Sequence, residues 1–288
     1  MENKLWTIVD VLKWTTDYFS EKGIESPRLN IELILCSVLN ITRIDIYKQF
    51  DKPLSELELK NIRNMILKRV SGEPLQYILG KTTFLDIEIM VNDTVMIPRP
   101  ETELLVKQVL DDYPNKYKKY RILDIGTGSG CIALYLAKKF PQSEVLAIDN
   151  SYFALLTAKN NGTNLAIRNV SFNQCDILNE LPTNQKFDIV VSNPPYIPSE
   201  DYEELADEVK NHEPKDALTD GKDGLTFYNR FKDILPYLLN DDGKFYFEIG
   251  YNQKNKLIEL FKESTFEIEF FEDFSGITRI LRGKEILY

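Results

Sequence analysis

Apolar positions along the chain change their period twice, and the changes divide it into three stretches. In the first eighty residues the period is helical: Leu5, Ile8, Val9, Leu12 and Phe19 recur at that spacing, and Ser26-Pro27 offers an N-cap followed by proline at the first position of a second helix through NIELILCSVL. A third helix is predicted from Ser55, with Glu58 completing a capping box and Leu57, Ile62, Ile66 and Val70 on one face. Three or four short helices of this kind make a small bundle. After GEPLQYILG the period drops to two. TTFLDIEIMVNDTVMI alternates around Asn92-Asp93, which predicts a β-hairpin, and the two prolines of IPRPETE close it.

From about residue 101 strands alternate with helices. RILDI (121–125), EVLAID (144–149), VSFNQC (170–175) and FDIVV (187–191) read as strands, with helices starting near Ser129 and Ser151. A parallel sheet with right-handed crossovers and helices on both faces is expected. GKFYFEI, FEIEFF and ITRILR follow, and the short DFSG turn between the last two fits an antiparallel closing pair. The expected organisation is a helical domain at 1–80, a β-hairpin linker at 81–100 and an α/β domain at 101–288.

Composition narrows the chemistry. The chain has 288 residues, 43% of them apolar, enough for one large domain and a smaller one. No apolar run approaches the ~18 residues of a membrane span, and MENKLWTIVD lacks the apolar core of a signal peptide. A cytoplasmic protein with no membrane partner is expected. Cys36, Cys131 and Cys175 are scattered among apolar residues and read as reduced core thiols. The single histidine, His212, reads as a solvated side chain. Histidine-rich metal sites and Ser-His-Asp triads lose their ligands and bases, and no metal is expected. The net charge of −10 argues against a protein that holds long nucleic acid by neutralising phosphates. Its most basic stretch, NKYKKYR at 115–121, is expected at the amino-terminal edge of the sheet.

The first α/β strand runs directly into DIGTGSG, with glycines at 126, 128 and 130. Glycines there permit a sharp turn and close approach of a ligand to the backbone of Gly126, Thr127, Gly128, Ser129 and Gly130. A dinucleotide fingerprint would need glycine at 131, where Cys131 stands. Asp149 ends the second strand, placed to accept the ribose hydroxyls of an adenosine. Asp176 ends the third and precedes Ile177, a polar contact and an apolar wall for adenine. With Asp124, three strands end in acids, which suits a cofactor without phosphates and better a positively charged one. This arrangement resembles the class I S-adenosylmethionine-dependent methyltransferases.

SNPPY (192–196) ends the fourth strand, which in that fold lies beside the first with its carboxyl end at the ligand crevice. Taken alone, a proline pair there merely stops a strand. After the glycine loop and the acids it reads as a site. Pro194 biases Asn193 to an extended conformation, and Pro195 does the same to Pro194. The Asn193 side-chain oxygen and the Pro194 carbonyl are then expected to accept the two hydrogens of a planar –NH2 group, with Tyr196 stacked on it. Methyl transfer from the cofactor needs positioning more than a strong base. The motif type serves amino groups on adenine, cytosine, guanine and glutamine. Glu200, Asp201, Glu203, Glu204, Asp207, Glu208 and Glu213 face only Lys210 in the next segment, which favours a basic protein loop over a phosphate chain if that segment borders the site, and is otherwise a solvated face.

GEPLQYILG, IPRPETELLV, DIGTGSGCIAL, SNPPYIP, HEPKDAL, GKDGLTFY and FEIGYNQ together resemble the HemK/PrmC family of peptide chain release factor N(5)-glutamine methyltransferases along nearly the whole chain. The resemblance implies a class I methyltransferase Rossmann-like sheet of seven mostly parallel strands with an antiparallel last strand. It also implies a small helical domain for release factor recognition, and S-adenosylmethionine as cofactor. The implied substrate is the glutamine of a Gly-Gly-Gln loop in release factors, methylated on its side-chain nitrogen. Cofactor contacts are implied for Gly126 through Gly130, Asp149, Asp176, Ile177 and Asn193, and substrate contacts for Asn193, Pro194, Pro195 and Tyr196. Arg99 or Glu101 of IPRPETE would line the site or pin the linker. The rival expectation is an adenine-N6 type methyltransferase, which would need base flipping and a positive groove.

Overall fold

The computed structural model describes residues 5–286, and these form two compact units. The first holds the chain up to Gly80 together with Asp207–His212; the second holds Lys81–Ala206 and the chain from Glu213. The hairpin after residue 80 therefore groups with the α/β unit, and one later segment groups with the helices.

The first unit contains α1 (Ile8–Glu21), α2 (Pro27–Leu39), α3 (Arg43–Lys48), α4 (Glu56–Val70) and α5 (Leu75–Leu79). Thr7, Thr42 and Ser55 each form a reciprocal capping box, with Asp10, Asp45 and Glu58 respectively. Each such cap stabilises its helix by about 0.5–2 kcal/mol over alanine. Ile8, Leu12, Phe19, Ile31, Leu35 and Ile62 pack in one core. Ser26 does not cap α2 through its side chain: it sits at φ 49°, and Asn30 Nδ2 donates to its carbonyl instead at 3.1 Å. Leu57 is 68% exposed, apart from the face of Ile62 and Ile66, because five residues on a helix turn about 140° out of register. Arg69 donates to Asn30 Oδ1 and to Glu208, both at 2.9 Å, which ties the 207–212 segment to this bundle. His212 is half-buried there, its Nδ1 3.2 Å from the Glu208 carbonyl.

The second unit begins with β1 (Lys81–Phe84) and β2 (Ile87–Met90), an antiparallel hairpin whose turn is Leu85-Asp86 rather than Asn92-Asp93. Tertiary contacts override turn chemistry here: Leu85 is held at φ 52° with its N–H donating to Glu103, and Asp86 pairs with Lys138 and Lys139. Asn92 instead turns its side chain onto the Thr94 N–H.

Then come α6 (Pro100–Asp112), β3 (Arg121–Ile125), α7 (Cys131–Lys139), β4 (Glu144–Asp149), α8 (Tyr152–Asn164), β5 (Val170–Gln174), β6 (Phe187–Ser192) and α9 (Ser199–Tyr202). After α10 (Asp207–His212), which belongs to the first unit, the chain forms α11 (Thr226–Leu238), β7 (Leu239–Glu248), α12 (Lys254–Phe261), β8 (Phe266–Glu272) and β9 (Thr278–Glu285).

The sheet order is β5-β4-β3-β6-β7-β9-β8, parallel except that β9 runs antiparallel to both neighbours. β3 and β6 are buried because strands of a doubly wound sheet are covered on both faces. The chain steps outward from β3 to β5 and returns on the other side with β6, so the order reverses between β3 and β6. Ligands bind at the carboxyl ends of strands at such a reversal. The main core packs Phe245 and Phe247 of β7 against Tyr228 and Phe231 of α11, with the Phe245 and Phe247 rings 4.9 Å apart. Cys131 and Cys175 are buried, Cys36 is partly so, and all three are free thiols. No helix among the described residues is long and apolar enough to cross a membrane.

Gly283 on β9 faces Phe245 across the sheet, and a methyl group built there overlaps the phenyl ring. Gly283→Ala is expected to destabilise the fold by about 1–3 kcal/mol, the usual range for overpacking. Chemical denaturation followed by circular dichroism measures this, and an unchanged midpoint would contradict the packing described.

Candidate active site

The turn after β3 is shaped by backbone hydrogen bonds before any ligand is considered. Gly126 and Thr127 both donate N–H groups to the Ile148 carbonyl at 2.9 Å, folding the loop over the end of β4. Gly128 is held at φ 55° and donates its N–H to Asp149 Oδ2 at 2.9 Å. Gly130 is required for a different reason: a Cβ there would lie 3.0 Å from that of Ala158 on α8. It is a packing residue beneath the loop and does not line the cavity. α7 starts at Cys131, two residues later than expected from Ser129, with Gly130 as its N-cap.

A cavity of about 240 Å³ opens at these strand ends. Gly126, Thr127, Gly128, Ser129, Asp149, Asp176, Ile177, Asn193, Pro194 and Pro195 all line it, and Tyr196 does not. Asp149 accepts one N–H on each oxygen, from Gly128 and from Ser151, both at 2.9 Å. Burial raises its pKa and those N–H groups oppose the rise. Asp176 accepts from Leu178 N–H and Asn179 Nδ2, and Ile177 is buried. Asp124 lies fully buried under the loop, accepting from Thr127 Oγ1 at 2.6 Å. Burial pushes its carboxyl up to about 7.

SNPPY meets this loop through strand register. Ser192 pairs with Ile125, and its hydroxyl donates to the Ile125 carbonyl at 2.7 Å. Asn193 Nδ2 donates to Thr102 Oγ1 at 3.1 Å, and Thr102 Oγ1 donates to Glu248 Oε2 at 2.6 Å. Tyr196 donates its hydroxyl to the other oxygen of Glu248 at 3.1 Å. Glu248 is fully buried, and burial pushes its carboxyl up to about 7. Gln253 Nε2 donates to the Tyr196 and Gly224 carbonyls at 2.9 and 3.0 Å, clamping the backbone after the proline pair. Thr102, Glu248 and Gln253 escaped the reading of the sequence. IPRPETE and FEIGYNQ signal them only as motifs, since their partners lie far away in the chain.

Of the two residues of IPRPETE singled out earlier, Arg99 pairs with Glu213, which also accepts the Ile97 N–H, and Glu101 lies 4.0 Å from Arg279. Neither lines the cavity. None of the seven acids from Glu200 to Glu213 lines it either. Glu213 is buried in its ion pair and Glu208 is bound to Arg69, so the segment is not a uniformly solvated acidic face. The wall is formed instead by Pro214, Asp216 and Ala217 just beyond, and by residues between Thr94 and Pro98.

Residues 10–80 match the PrmC N-terminal domain model and residues 116–278 match a methyltransferase domain model. A release factor glutamine methyltransferase of Geobacter sulfurreducens is 39% identical over 98% of both chains. One from Bacillus subtilis is 39% identical over 96% of both. The chain belongs to the release factor glutamine methyltransferase family. A solved methyltransferase of Pyrococcus furiosus shares the fold, with a TM-score of 0.52 and 17% identity over 80% of this chain and all of that one.

The family's cofactor is S-adenosylmethionine, and the cavity fits it. Among the described residues, Asp149, Asp176 and Asp216 line the cavity and no lysine, arginine or histidine does. That charge balance suits a cationic nucleoside without phosphates and opposes a dinucleotide. Asp149, with acceptor capacity remaining on both oxygens, would hold the ribose hydroxyls, and Ile177 the apolar side of the adenine. Asp149→Ala is expected to weaken S-adenosylmethionine binding roughly 10- to 150-fold, the equivalent of one hydrogen bond to a charged group. Isothermal titration measures it, with circular dichroism checking that the loop still folds; an unchanged dissociation constant would contradict the assignment.

Proposed function

We propose that the protein transfers a methyl group from S-adenosylmethionine to the side-chain amide nitrogen, N5, of the glutamine in the Gly-Gly-Gln loop of peptide chain release factors. The observation that carries this reading is Asn193. Its amide is anchored by Nδ2 at the edge of an acidic cavity, in a chain that matches a relative named for that reaction over 98% of its length. Bound S-adenosylmethionine supplies an electrophilic methyl carbon.

The protein's part is to present the nucleophile. Asn193 Oδ1 and the Pro194 carbonyl accept the two hydrogens of the glutamine –NH2, fixing the plane of the amide and stabilising the positive charge that grows on nitrogen. Pro194 and Pro195 carry no N–H, so this stretch of backbone offers the substrate acceptors only. Tyr196, tied to Glu248, holds the end of the loop. Gly126 through Ser129, Asp149, Asp176 and Ile177 serve the cofactor, and Gly130 lets their loop pack on α8. The N–C bond would form as the bond from that methyl carbon to the sulfonium sulfur breaks, the sulfur leaving with the electron pair as a neutral thioether, and the nitrogen gives up one of its two protons to solvent, which needs no resident base of high pKa. The helical unit at 1–80 would recognise the release factor, and the reaction belongs in the cytoplasm, without direct contact to nucleic acid.

Transfer of tritiated methyl from S-adenosylmethionine to a purified release factor, with DNA and RNA offered in parallel, tests the reading. Label on the release factor alone is expected. Labelled nucleic acid beside an unlabelled release factor would identify the adenine-N6 type of activity and sink it. In the same assay Asn193→Ala is expected to lower transfer by about 100-fold or more, the cost of removing one preorganised polar partner of the transition state. Cofactor affinity should stay near that of the unsubstituted protein. Parallel loss of both would make Asn193 a structural residue.

A further inference from the structure

Asparagine has two ends of similar shape and opposite hydrogen-bonding character, so a site built on it must decide which end faces the substrate. The proposed reaction needs Oδ1 there, because the substrate –NH2 brings only donors. Nothing in the backbone of SNPPY makes that choice. A chain of side chains leading away from the cavity does.

Thr102 has one hydroxyl proton. Its oxygen lies 2.6 Å from Glu248 Oε2 and 3.1 Å from the Asn193 amide. An ionised carboxylate can only accept, so Thr102 must spend its proton on Glu248. Its lone pairs are then all it can offer to Asn193, which must answer with Nδ2, turning Oδ1 away from Thr102. The second Glu248 oxygen is occupied by the Tyr196 hydroxyl at 3.1 Å, Tyr228 donates to the Glu248 backbone carbonyl at 2.7 Å, and the side chain is buried, so both carboxylate oxygens are held by hydroxyl donors inside the protein.

We propose that Glu248, acting through Thr102, sets the polarity of the Asn193 amide, so that its oxygen rather than its nitrogen is presented to the substrate. This rests on the reading of Asn193 as the acceptor of the substrate amide. Thr102 and Glu248 are positioning residues: Glu248 is enclosed, and neither takes part in the bond that forms or breaks.

The network has a second stable polarity. A protonated Glu248 can donate to Thr102, Thr102 can then donate to Asn193 Oδ1, and the amide turns over with Nδ2 toward the substrate. Two donors then oppose two donors. The groups that bear on the Glu248 charge are Glu101 on α6, Arg279 on β9, Tyr196, Tyr228 on α11 and Cys131 at the start of α7. Burial outweighs the favourable Arg279 and raises the Glu248 carboxyl to about 7. The productive polarity is therefore present above that pH and is lost as pH falls through it.

The test is kcat against pH, from about 6 to about 8.5, at saturating S-adenosylmethionine and release factor. The protein is compared with Thr102→Val, Thr102→Ser, Glu248→Gln and Asn193→Ala, and cofactor dissociation constants are measured alongside. Thr102→Val keeps the shape and removes the relay, and is expected to lower kcat by about 10- to 100-fold, the scale of a misplaced reactive group. Its cofactor affinity should be unchanged, and Thr102→Ser should restore most of the rate. The unsubstituted protein should lose rate on the acid side of about 7, and Glu248→Gln, which cannot titrate, should lose that limb. Thr102→Val with undiminished kcat, or an acid limb that persists unchanged in Glu248→Gln, overturns the inference while a dead Asn193→Ala keeps the functional reading standing. Asn193→Ala with undiminished kcat removes both.

Discussion

Parallel pairing of β3 with β6 is the constraint on which the site depends. It sets Ile125 beside Ser192, so the residues that follow each strand, the glycine turn and NPPY, emerge side by side at one edge of the sheet. Neither sequence could form the site alone. The glycine turn needs β4 on its other flank, because the Ile148 carbonyl and the Asp149 carboxylate receive its N–H groups. NPPY needs β7, whose last residue is Glu248. Four neighbouring strand ends, β4, β3, β6 and β7, thus supply in order a carboxylate, a backbone cradle, an amide and the carboxylate behind that amide. Sheet order, set by right-handed crossovers and the reversal at β3, decides which chemistries meet.

Two buried carboxylates, Asp124 and Glu248, make this arrangement costly. Both are raised to about 7 by burial. For an acid whose folded pKa lies above its unfolded value, the folded state binds more protons across the interval between them, so stability falls as pH rises through that interval. At neutral pH and above both groups oppose folding, and the loss is offset by the apolar core around Phe245, Phe247, Tyr228 and Phe231. A protein under no demand beyond stability would do better with apolar residues at these positions. Their placement under the glycine loop and behind Asn193 is where sequences commonly depart from the most stable choice.

What the sequence reveals and what it hides follows from the range of the interactions involved. The strands, the glycine loop and NPPY are legible because each is a local pattern: a run of apolar residues, then glycines or prolines that only a few backbone shapes accommodate. Asp149 is legible because its distance from the loop is set by one crossover helix. The hairpin turn is misread at Asn92-Asp93 because the true turn, at Leu85, depends on Glu103 eighteen positions away. Leu57 is apolar but lies off the buried face, because a spacing of five residues turns about 140° out of register and apolarity alone does not reveal it. Thr102 hides between Glu101 and Glu103, and its partner Glu248 is 146 positions on. The acids after NPPY are legible as charge but not as ion pairs, since Arg69 and Arg99 come from much earlier in the chain.

On the proposed roles of Asn193 and Pro194, the motif would suit a planar amino group and little else. In the proposed reaction the reacting nitrogen would meet two acceptors, the Asn193 amide oxygen, whose nitrogen end is held by Thr102, and the Pro194 carbonyl, and the prolines remove the N–H groups that a similar turn would otherwise present. A hydroxyl or thiol brings one hydrogen and leaves one acceptor without a partner, at the cost of an unmade hydrogen bond, about 1–3 kcal/mol where it is buried. An ammonium brings three hydrogens and no electron pair. A planar –NH2 brings the two hydrogens that such a pair of acceptors would take, and keeps its π electron pair perpendicular to them. On that proposal, the count and polarity of acceptors would select the reacting group. Selection among molecules that carry such a group falls to surfaces beyond NPPY, which is why the motif alone leaves a base and a glutamine equally admissible.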